Sequence, residues 1–172
     1  MKAPHHNSHC SYCGTPFSPN AEWPRTCANC QQISYINPTP VGVAIAPVQM
    51  NSGRIGIIAV RRNIPPRKGQ IALPGGFLDI GESWQEGTVR ELWEETAIQQ
   101  PADSVELFAV HSTPDGRNVL IFATTAPIAE NDIPPFSISD EATERVILTQ
   151  PTDLAFPLHT NILAQFLAQY AN

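Results

Sequence analysis

Short runs of β-branched and aliphatic residues, separated by glycine, proline and asparagine, recur along most of the chain. Such runs predict β-strands. The predicted strands are Val41–Val48, Arg54–Val60, Val105–His111, Asn118–Thr124 and Arg145–Thr149. Two further segments repeat apolar residues at helical spacing, which predicts helices from Ser83 to about Ala97 and from Leu158 to Tyr170. Strands that alternate with helices predict a mixed α/β fold.

The two predicted helices differ in how their apolar residues are arranged. Ser83 and Glu86 form a capping box, which defines the start of the first helix. The side of this helix that faces the core is predicted to contain Val89, Leu92 and Trp93. The second helix has one apolar stripe, formed by Leu158, Ile162, Leu163, Phe166, Leu167 and Tyr170.

Three glutamates, Glu91, Glu94 and Glu95, occupy another arc of the first helix. Like charges at this spacing destabilise a helix by about 0.2–0.5 kcal/mol per pair, so a positive group is expected near them. One interpretation is a solvated acidic face in which Arg90 pairs with Glu86 or Glu94. The other is a site for hard divalent cations, which prefer oxygen ligands. Gly87, one turn earlier, indicates a close approach to this helix.

All four cysteines lie near the N-terminus, as Cys10-x2-Cys13 and Cys27-x2-Cys30. Two such pairs can bind one Zn²⁺ tetrahedrally, and Gly14 permits the tight turn that follows the first pair. Disulfides and a redox-active pair are the alternatives, and both explain the pattern less well.

The N-terminal segment has few apolar residues, so a metal ion is expected to serve as its core. The histidines of the N-terminal tail, His5, His6 and His9, are expected not to be ligands, because four cysteines already complete a zinc site. The prolines of Asn37-Pro38-Thr39-Pro40 predict a boundary between a zinc ribbon, residues 1–36, and a larger domain, residues 37–172.

Charge and hydropathy narrow the functional classes. The 172 residues carry a net charge of −6, and residues 81–172 hold three arginines against fourteen acids, which argues against a general nucleic-acid binder. No apolar run has the length of a membrane span, and no apolar secretion segment is present near the N-terminus. The expectation is a soluble, cytoplasmic protein.

The residues around the first helix resemble the Nudix box. The chain reads Gly76, five residues, Glu82, seven residues, then Arg90-Glu91-Leu92-x-Glu94-Glu95-x-Ala97-Ile98. Ala97 is the one departure, since the box has glycine there, and alanine resists the left-handed conformation of a helix C-terminus. The resemblance implies a Nudix-type α/β/α sandwich with a mixed sheet, preceded here by a small zinc ribbon.

A wider resemblance is to the Nudix hydrolases that act on NADH, FAD and ADP-ribose. It rests on the ribbon and on Arg61-Arg62, Lys68-Gly69, Glu141-Ala142-Thr143-Glu144 and Leu154-Ala155-Phe156-Pro157. The Ser-Gln-Pro-Trp-Pro-Phe-Pro stretch of the NADH-cleaving members is missing, and Ile71 stands where an aromatic residue is common. NADH is therefore not the expected principal substrate.

The resemblance also implies roles for individual residues. Glu91 and Glu95 are the expected primary ligands of catalytic Mg²⁺ or Mn²⁺, with Glu94 as a ligand or water-holder and the Gly75 carbonyl as a further ligand. Glu141 matches the position of an additional carboxylate that acts as ligand or base, and Glu144 is the alternative. Gly76, Glu82 and Arg90 are expected to have supporting roles. Arg61 and Arg62 are expected to bind phosphate, and Phe77, Tyr35 or Trp84 to stack on the base.

The implied function is a metal-dependent pyrophosphohydrolase. It would cleave the diphosphate of a nucleoside diphosphate derivative to AMP and a monophosphate, with FAD or ADP-ribose favoured and NADH slower. The alternative is a non-catalytic module that senses a nucleotide while its ribbon binds nucleic acid or protein. The small-molecule nucleotide is the expected partner, and the ribbon is expected to serve stability or a homodimer interface.

Overall fold

The computed structural model describes residues 6–169 of the chain. The chain divides into two compact units, one ending at Pro38 and the other beginning at Thr39. His5 and Tyr170, which the sequence analysis considered, lie outside the described residues. Neither helix in the described part has the length and apolar character needed to cross a membrane.

The first unit contains two similar turns that begin at cysteines and one small antiparallel ladder. The ladder joins β1 (Arg25–Thr26) to β2 (Ile33–Ser34). In one turn the Gly14 N–H donates to the Cys10 carbonyl at 2.9 Å, and in the other Gln31 donates to Cys27 at 2.9 Å. Gly14 has φ of +73°, as its role in the turn predicts, and Gln31 has φ of +61°.

The second unit contains two sheets and two helices among the described residues. In chain order the elements are β3 (Thr39–Ile45), β4 (Pro47–Gln49), β5 (Ile55–Arg62), β6 (Ile71–Ala72), β7 (Gly75–Phe77), α1 (Trp84–Thr96), β8 (Glu106–Ser112), β9 (Asn118–Thr124), β10 (Ile128–Ala129), β11 (Ala142–Leu148) and α2 (Pro157–Ala168). The first sheet has the order β10-β4-β5-β11, with β6 also paired to β5, and the second has the order β7-β3-β9-β8.

Both sheets mix parallel and antiparallel pairs. The pairs β3–β9 and β10–β4 are parallel, whereas the other pairs of these two sheets are antiparallel. The predicted mixed α/β architecture is confirmed, with two sheets where one was expected.

Alternation along β3 and β5 places one helix on each face of the sheets. Val43 and Ile57 belong to a buried cluster with Leu163 and its neighbours on α2. Ala44 and Ile58, one residue further along each strand, belong to a second cluster with Leu92 of α1. Successive side chains of a strand point to opposite faces, so the two strands contribute to both cores at once. The α/β/α layering follows from this alternation.

The first predicted strand is in fact two. The strand β3 ends at Ile45, and a second strand, β4, begins at Pro47 and pairs with β5. Pro40 lies within β3 and pairs with Val119, although the prolines of this segment predicted no ladder. A proline near the first residue of a strand is tolerated because few ladder bonds require its missing N–H.

The segment that leads into β7 is held by α2 and the residues before it. The Ala155 N–H donates to the Ile71 carbonyl at 2.7 Å. The Leu73 N–H donates to His159 Nδ1 at 3.3 Å. Burial lowers the pKa of His159 to about 3, so the imidazole is neutral and accepts this bond. These contacts fix the approach to Gly75.

Both ends of α1 are well defined. The Ser83 hydroxyl accepts a bond from the Glu86 N–H at 3.2 Å, and the Glu86 carboxylate accepts one from the Ser83 N–H at 2.7 Å, which confirms the capping box. At the other end Ala97 has φ of +61° and ψ of +10°, and its N–H donates to the Trp93 carbonyl. Alanine thus adopts the left-handed conformation that glycine adopts more readily.

We expect Ala97→Gly to raise the free energy of unfolding by about 1 kcal/mol, because it removes the Cβ that disfavours this conformation. Urea unfolding measures the change, provided that both proteins show the same dependence of the unfolding free energy on urea concentration. Ala164→Gly, inside α2, is the matched control and should lower stability by about 1 kcal/mol. A less stable Ala97→Gly protein would contradict the analysis of this terminus.

Candidate active site and metal centre

The acidic face of α1 is turned toward the protein interior. Glu91 is 7% exposed and Glu95 is 4% exposed, whereas Glu94 lies in solvent. Trp93, predicted to face the core, is 49% exposed, so that prediction is wrong. The helix packs against β3 and β7 through the side that carries Thr88 and the two buried glutamates, and this rotates Trp93 outward.

Glycines let the helix approach these strands closely. A Cβ on Gly76 would lie 2.5 Å from the carboxyl carbon of Glu91, and one on Gly42 would lie 2.7 Å from the Thr88 hydroxyl. A Cβ on Gly87 would clash with the side chains of Leu78 and Glu82, which explains the close approach that the sequence indicated there. Side chains at these positions would push α1 away and expose the buried carboxylates.

Arg90 organises the outer part of the site. Its Nε and Nη2 donate to the two carboxylate oxygens of Glu82 at 3.0 and 2.8 Å, and Nη2 also donates to the Phe77 carbonyl at 3.0 Å. Nη1 donates to Glu91 at 2.7 Å and to Glu94 at 3.2 Å. The bond from Arg90 holds the pKa of Glu82 below its usual range. Arg90 therefore pairs with Glu94 rather than with Glu86, which is engaged in the capping box.

Glu95 has no comparable cation. Its carboxylate accepts a bond from the Gly75 N–H at 3.0 Å, and no ion pair joins it to a basic side chain within residues 6–169. Burial, together with the charges of Glu91 and Glu141, raises the pKa of Glu95 to about 8. Burial also raises the pKa of Glu91. A positive charge placed beside these buried carboxylates would stabilise their ionised form.

Glu141 and Glu144 occupy different surroundings at the start of β11. Glu141 lies near enough to Glu91 and Glu95 to raise their pKa values. Glu144 instead accepts a bond from Arg61 Nε at 2.7 Å. The ion pair with Arg61 occupies Glu144, which leaves Glu141 as the better candidate for the additional carboxylate.

The two predicted phosphate-binding arginines are adjacent on β5, where side chains alternate in direction. Arg61 is paired with Glu144 and donates to the Gly69 carbonyl at 3.0 Å. Arg62 Nε donates to the Pro66 carbonyl at 2.9 Å, and its guanidinium lies 5.2 Å from the centre of the Phe156 ring. The charge of Arg62 acts on Glu95 and opposes the rise in its pKa.

The candidate stacking residues are distributed differently. Phe77 is 59% exposed at the end of β7, directly after the site glycines. Trp84 is half-buried at the start of α1. Tyr35 is 63% exposed and belongs to the first unit.

Asn63 was not identified from the sequence. Its N–H donates to the Glu141 carbonyl at 2.7 Å, and its side chain donates to the Ser139 carbonyl at 3.1 Å. It therefore holds the residues before β11 against the end of β5. Such contacts join residues more than 70 positions apart and leave no local pattern.

The donor set of the second unit fits Mg²⁺ or Mn²⁺. Its ligand atoms are oxygens, and Glu95 is buried without a basic partner in the described chain. Outside the four cysteines, residues 6–169 contain no group of three or more acidic, histidine or cysteine ligands within 4.8 Å of one another. Mg²⁺ takes one or two carboxylates and keeps several waters, so it does not require such a group.

The four cysteines of the first unit form a compact cluster. Their sulfurs lie within 4.8 Å of one another, with Cys10–Cys30 at 3.7 Å and Cys13–Cys27 at 3.6 Å, and none is disulfide-bonded. Zn–S bonds of about 2.3 Å in a tetrahedron give sulfur separations of about 3.8 Å. Hydrogen bonds from Thr15 lower the pKa of Cys13 to about 6, which favours the thiolate. The cluster has the geometry of a four-thiolate metal site.

Comparisons with known proteins identify relatives of this chain. The NAD-capped RNA hydrolase NudC of Edwardsiella ictaluri (strain 93-146) is 35% identical over 92 residues, which are 52% of this chain and 33% of that protein. The ADP-ribose pyrophosphatase of Methanocaldococcus jannaschii is 44% identical over 59 residues, which are 34% of each chain. The chain thus spans about a third of the length of these curated relatives.

Solved structures share the fold. A NUDIX hydrolase from Nitrosomonas europaea superposes with a TM-score of 0.71 at 26% identity, covering 94% of this chain and 91% of that one. The NUDIX domain of Shewanella oneidensis NrtR, solved with ADP ribose, gives a TM-score of 0.54 at 21% identity over 65% of this chain and 73% of that one. A family model for the NUDIX domain matches residues 38–170, so this chain, with its buried glutamates on α1, belongs to the Nudix family.

Proposed function

We propose that this protein is a metal-dependent pyrophosphohydrolase that cleaves the diphosphate of nucleoside diphosphate derivatives. The observation that carries the proposal is the burial of Glu91 and Glu95 on α1 beside the glycines of β7, where the charge of the exposed Glu141 further raises the pKa of Glu95. Buried like charges are costly unless a cation joins them. A fold that buries two such carboxylates on one helix is suited to binding divalent metal.

The chain's own residues would hold the metal and prepare the substrate. Glu91, Glu95 and the Gly75 carbonyl would bind Mg²⁺ or Mn²⁺, with Glu94 at the solvent side and Glu141 as a further ligand or base. When bound, the ion would neutralise charge on the diphosphate and lower the pKa of a water, so that hydroxide is available near neutral pH to attack phosphorus. Arg90 keeps Glu91 oriented through its bonds to Glu82 and the Phe77 carbonyl.

Phosphate and base binding are assigned to the rim of the site. Arg62 is held by Pro66 and Phe156 near Glu95, so its charge is available to a phosphate oxygen. Phe77 exposes its ring beside the site and can stack on a base or flavin. Arg61, paired with Glu144, would need to exchange partners to bind phosphate.

The favoured substrates are FAD and ADP-ribose, with NADH slower. The relatives named for ADP-ribose and for NAD-capped RNA support a diphosphate bonded to a nucleoside as the common chemical feature. The metal ligands contact only the diphosphate, whereas discrimination requires pocket groups that match the rest of the molecule. Several dinucleotides should therefore be cleaved at graded rates.

A panel of nucleotides tests the proposed activity. With Mg²⁺ or Mn²⁺, we expect FAD and ADP-ribose to yield AMP and the partner monophosphate, with NADH slower and no turnover in excess EDTA. Chromatography of the products also covers diadenosine polyphosphates and nucleoside triphosphates. Exclusive hydrolysis of triphosphates would contradict the substrate class. Tight ADP-ribose binding without any cleavage would favour a nucleotide sensor.

Glu95→Gln tests the metal-binding face. The change keeps the side-chain shape and removes a charged ligand, so activity should fall about 100-fold or more while the fold is retained or stabilised. Glu106→Gln, on the exposed edge strand β8, is the matched control and should keep full activity. Glu82→Gln should cost less than Glu91→Gln. Near-normal turnover of Glu95→Gln at saturating Mg²⁺ would refute this assignment.

We also propose that the cysteine cluster binds structural zinc and stabilises the ribbon, residues 1–36. Thiolate ligands at tetrahedral separations support zinc over a hard cation. The four unbridged thiols further support a reducing, cytoplasmic setting.

Elemental analysis should find about one zinc per chain, and Cys13→Ser should lose it and increase proteolysis of the N-terminal unit. Ser11→Ala, between the first two cysteines, is the control and should retain the metal. Metal-free protein whose four cysteines all resist alkylation would instead indicate disulfides.

A further inference from the structure

Arg145 of β11 joins two parts of the second unit that the proposed function brings together. Its Nη1 donates to the Thr96 carbonyl and its Nη2 to the Pro134 carbonyl, both at 2.5 Å. The guanidinium lies 5.6 Å from the centre of the Phe136 ring. No ion pair links it to a carboxylate in the part of the chain that the structure describes. A partly buried cation is therefore bonded to backbone carbonyls.

The two carbonyls belong to different functional segments. Thr96 is the last residue of α1, the helix that carries Glu91 and Glu95. Pro134 and Phe136 belong to the segment 133–141, which ends at the additional carboxylate, Glu141. The planar guanidinium donates from two separate nitrogens in a fixed geometry, whereas an ammonium group donates from one nitrogen only.

The charge of Arg145 also compensates the end of α1. The C-terminus of a helix carries a partial negative charge, and the last turn of α1 has no basic residue of its own. Three glutamates in the second half of this helix make that end more negative. Arg145 supplies the missing cation from another strand.

The segment 133–141 is held at its other end by Asn63. The Asn63 N–H and side chain donate to the carbonyls of Glu141 and Ser139 at 2.7 and 3.1 Å. The Ser139 hydroxyl accepts bonds from the N–H groups of Glu141 and Ala142 at 3.3 and 3.0 Å. Hydrogen bonds from Asn63 therefore hold the segment 133–141 against the end of β5, and hydrogen bonds from Arg145 hold the same segment against the end of α1.

We propose that Arg145 is a positioning residue that sets the placement of Glu141 relative to the carboxylates of α1. The inference rests on the proposed function, in which these groups share a divalent metal. Losing the fork would leave the metal ligands intact but let the segment 133–141 move away from α1.

The test compares Arg145→Lys with Arg54→Lys, an exposed arginine outside the site. Arg145→Lys should weaken Mn²⁺ binding, followed by electron paramagnetic resonance, by about 10- to 100-fold, and kcat should fall by a similar factor. KM at saturating metal should stay within about twofold. Hydrogen exchange of the amides of residues 136–141 should become faster, and this measurement needs no turnover. Arg54→Lys should change none of these quantities.

A double-mutant cycle separates positioning from general stability. In a Glu141→Gln background, Arg145→Lys should weaken Mn²⁺ binding by less than about twofold, because the group that it positions is already lost. Phe136→Leu, which removes only the ring beneath the guanidinium, should produce a smaller effect of the same kind. An equal loss in both backgrounds, or unchanged exchange of residues 136–141 in Arg145→Lys, would overturn the inference. Failure of the proposed function would show separately, as wild-type protein that cleaves no nucleotide.

Discussion

The close contact between α1 and the glycines of β3 and β7 is the constraint on which the site depends. Gly42 accommodates Thr88, and Gly76 accommodates the carboxylate of Glu91, with no space for a Cβ at either glycine. Because the helix lies so near the strands, Glu91 and Glu95 are buried instead of solvated. The Gly75 N–H is then within hydrogen-bonding distance of Glu95. Backbone packing thus determines the electrostatics of the carboxylates.

The resulting charges are balanced unevenly. Arg90 bonds to Glu82, Glu91 and Glu94, so one cation organises the outer acids. Glu95 remains with a single N–H donor and two acidic neighbours. The proposed divalent ion would relieve this imbalance by adding positive charge beside Glu95.

Local patterns predicted the bounds of α1 well, because its capping box and its end depend on residues near in sequence. The pairs of cysteines were equally informative, since four ligands of one type at short spacing favour few structures. The burial of Glu91 and the exposure of Trp93 were not predicted, because the orientation of the helix depends on glycines 15 or more positions away. Whether Arg61 or Arg62 faces the site depends on strand register, and Asn63 and Arg145 act through long-range contacts. Contacts between residues this far apart in sequence leave no local pattern from which they could be predicted.

The alternation of β3 and β5 has a consequence for how the domain can change over evolution. Substitutions around Leu163 act on the core beneath α2, whereas those around Leu92 act on the core beneath α1. The two sets of side chains are separated by the strand backbones. Natural variation around Leu163 is therefore expected to change thermal tolerance more than it changes the packing of the acidic helix.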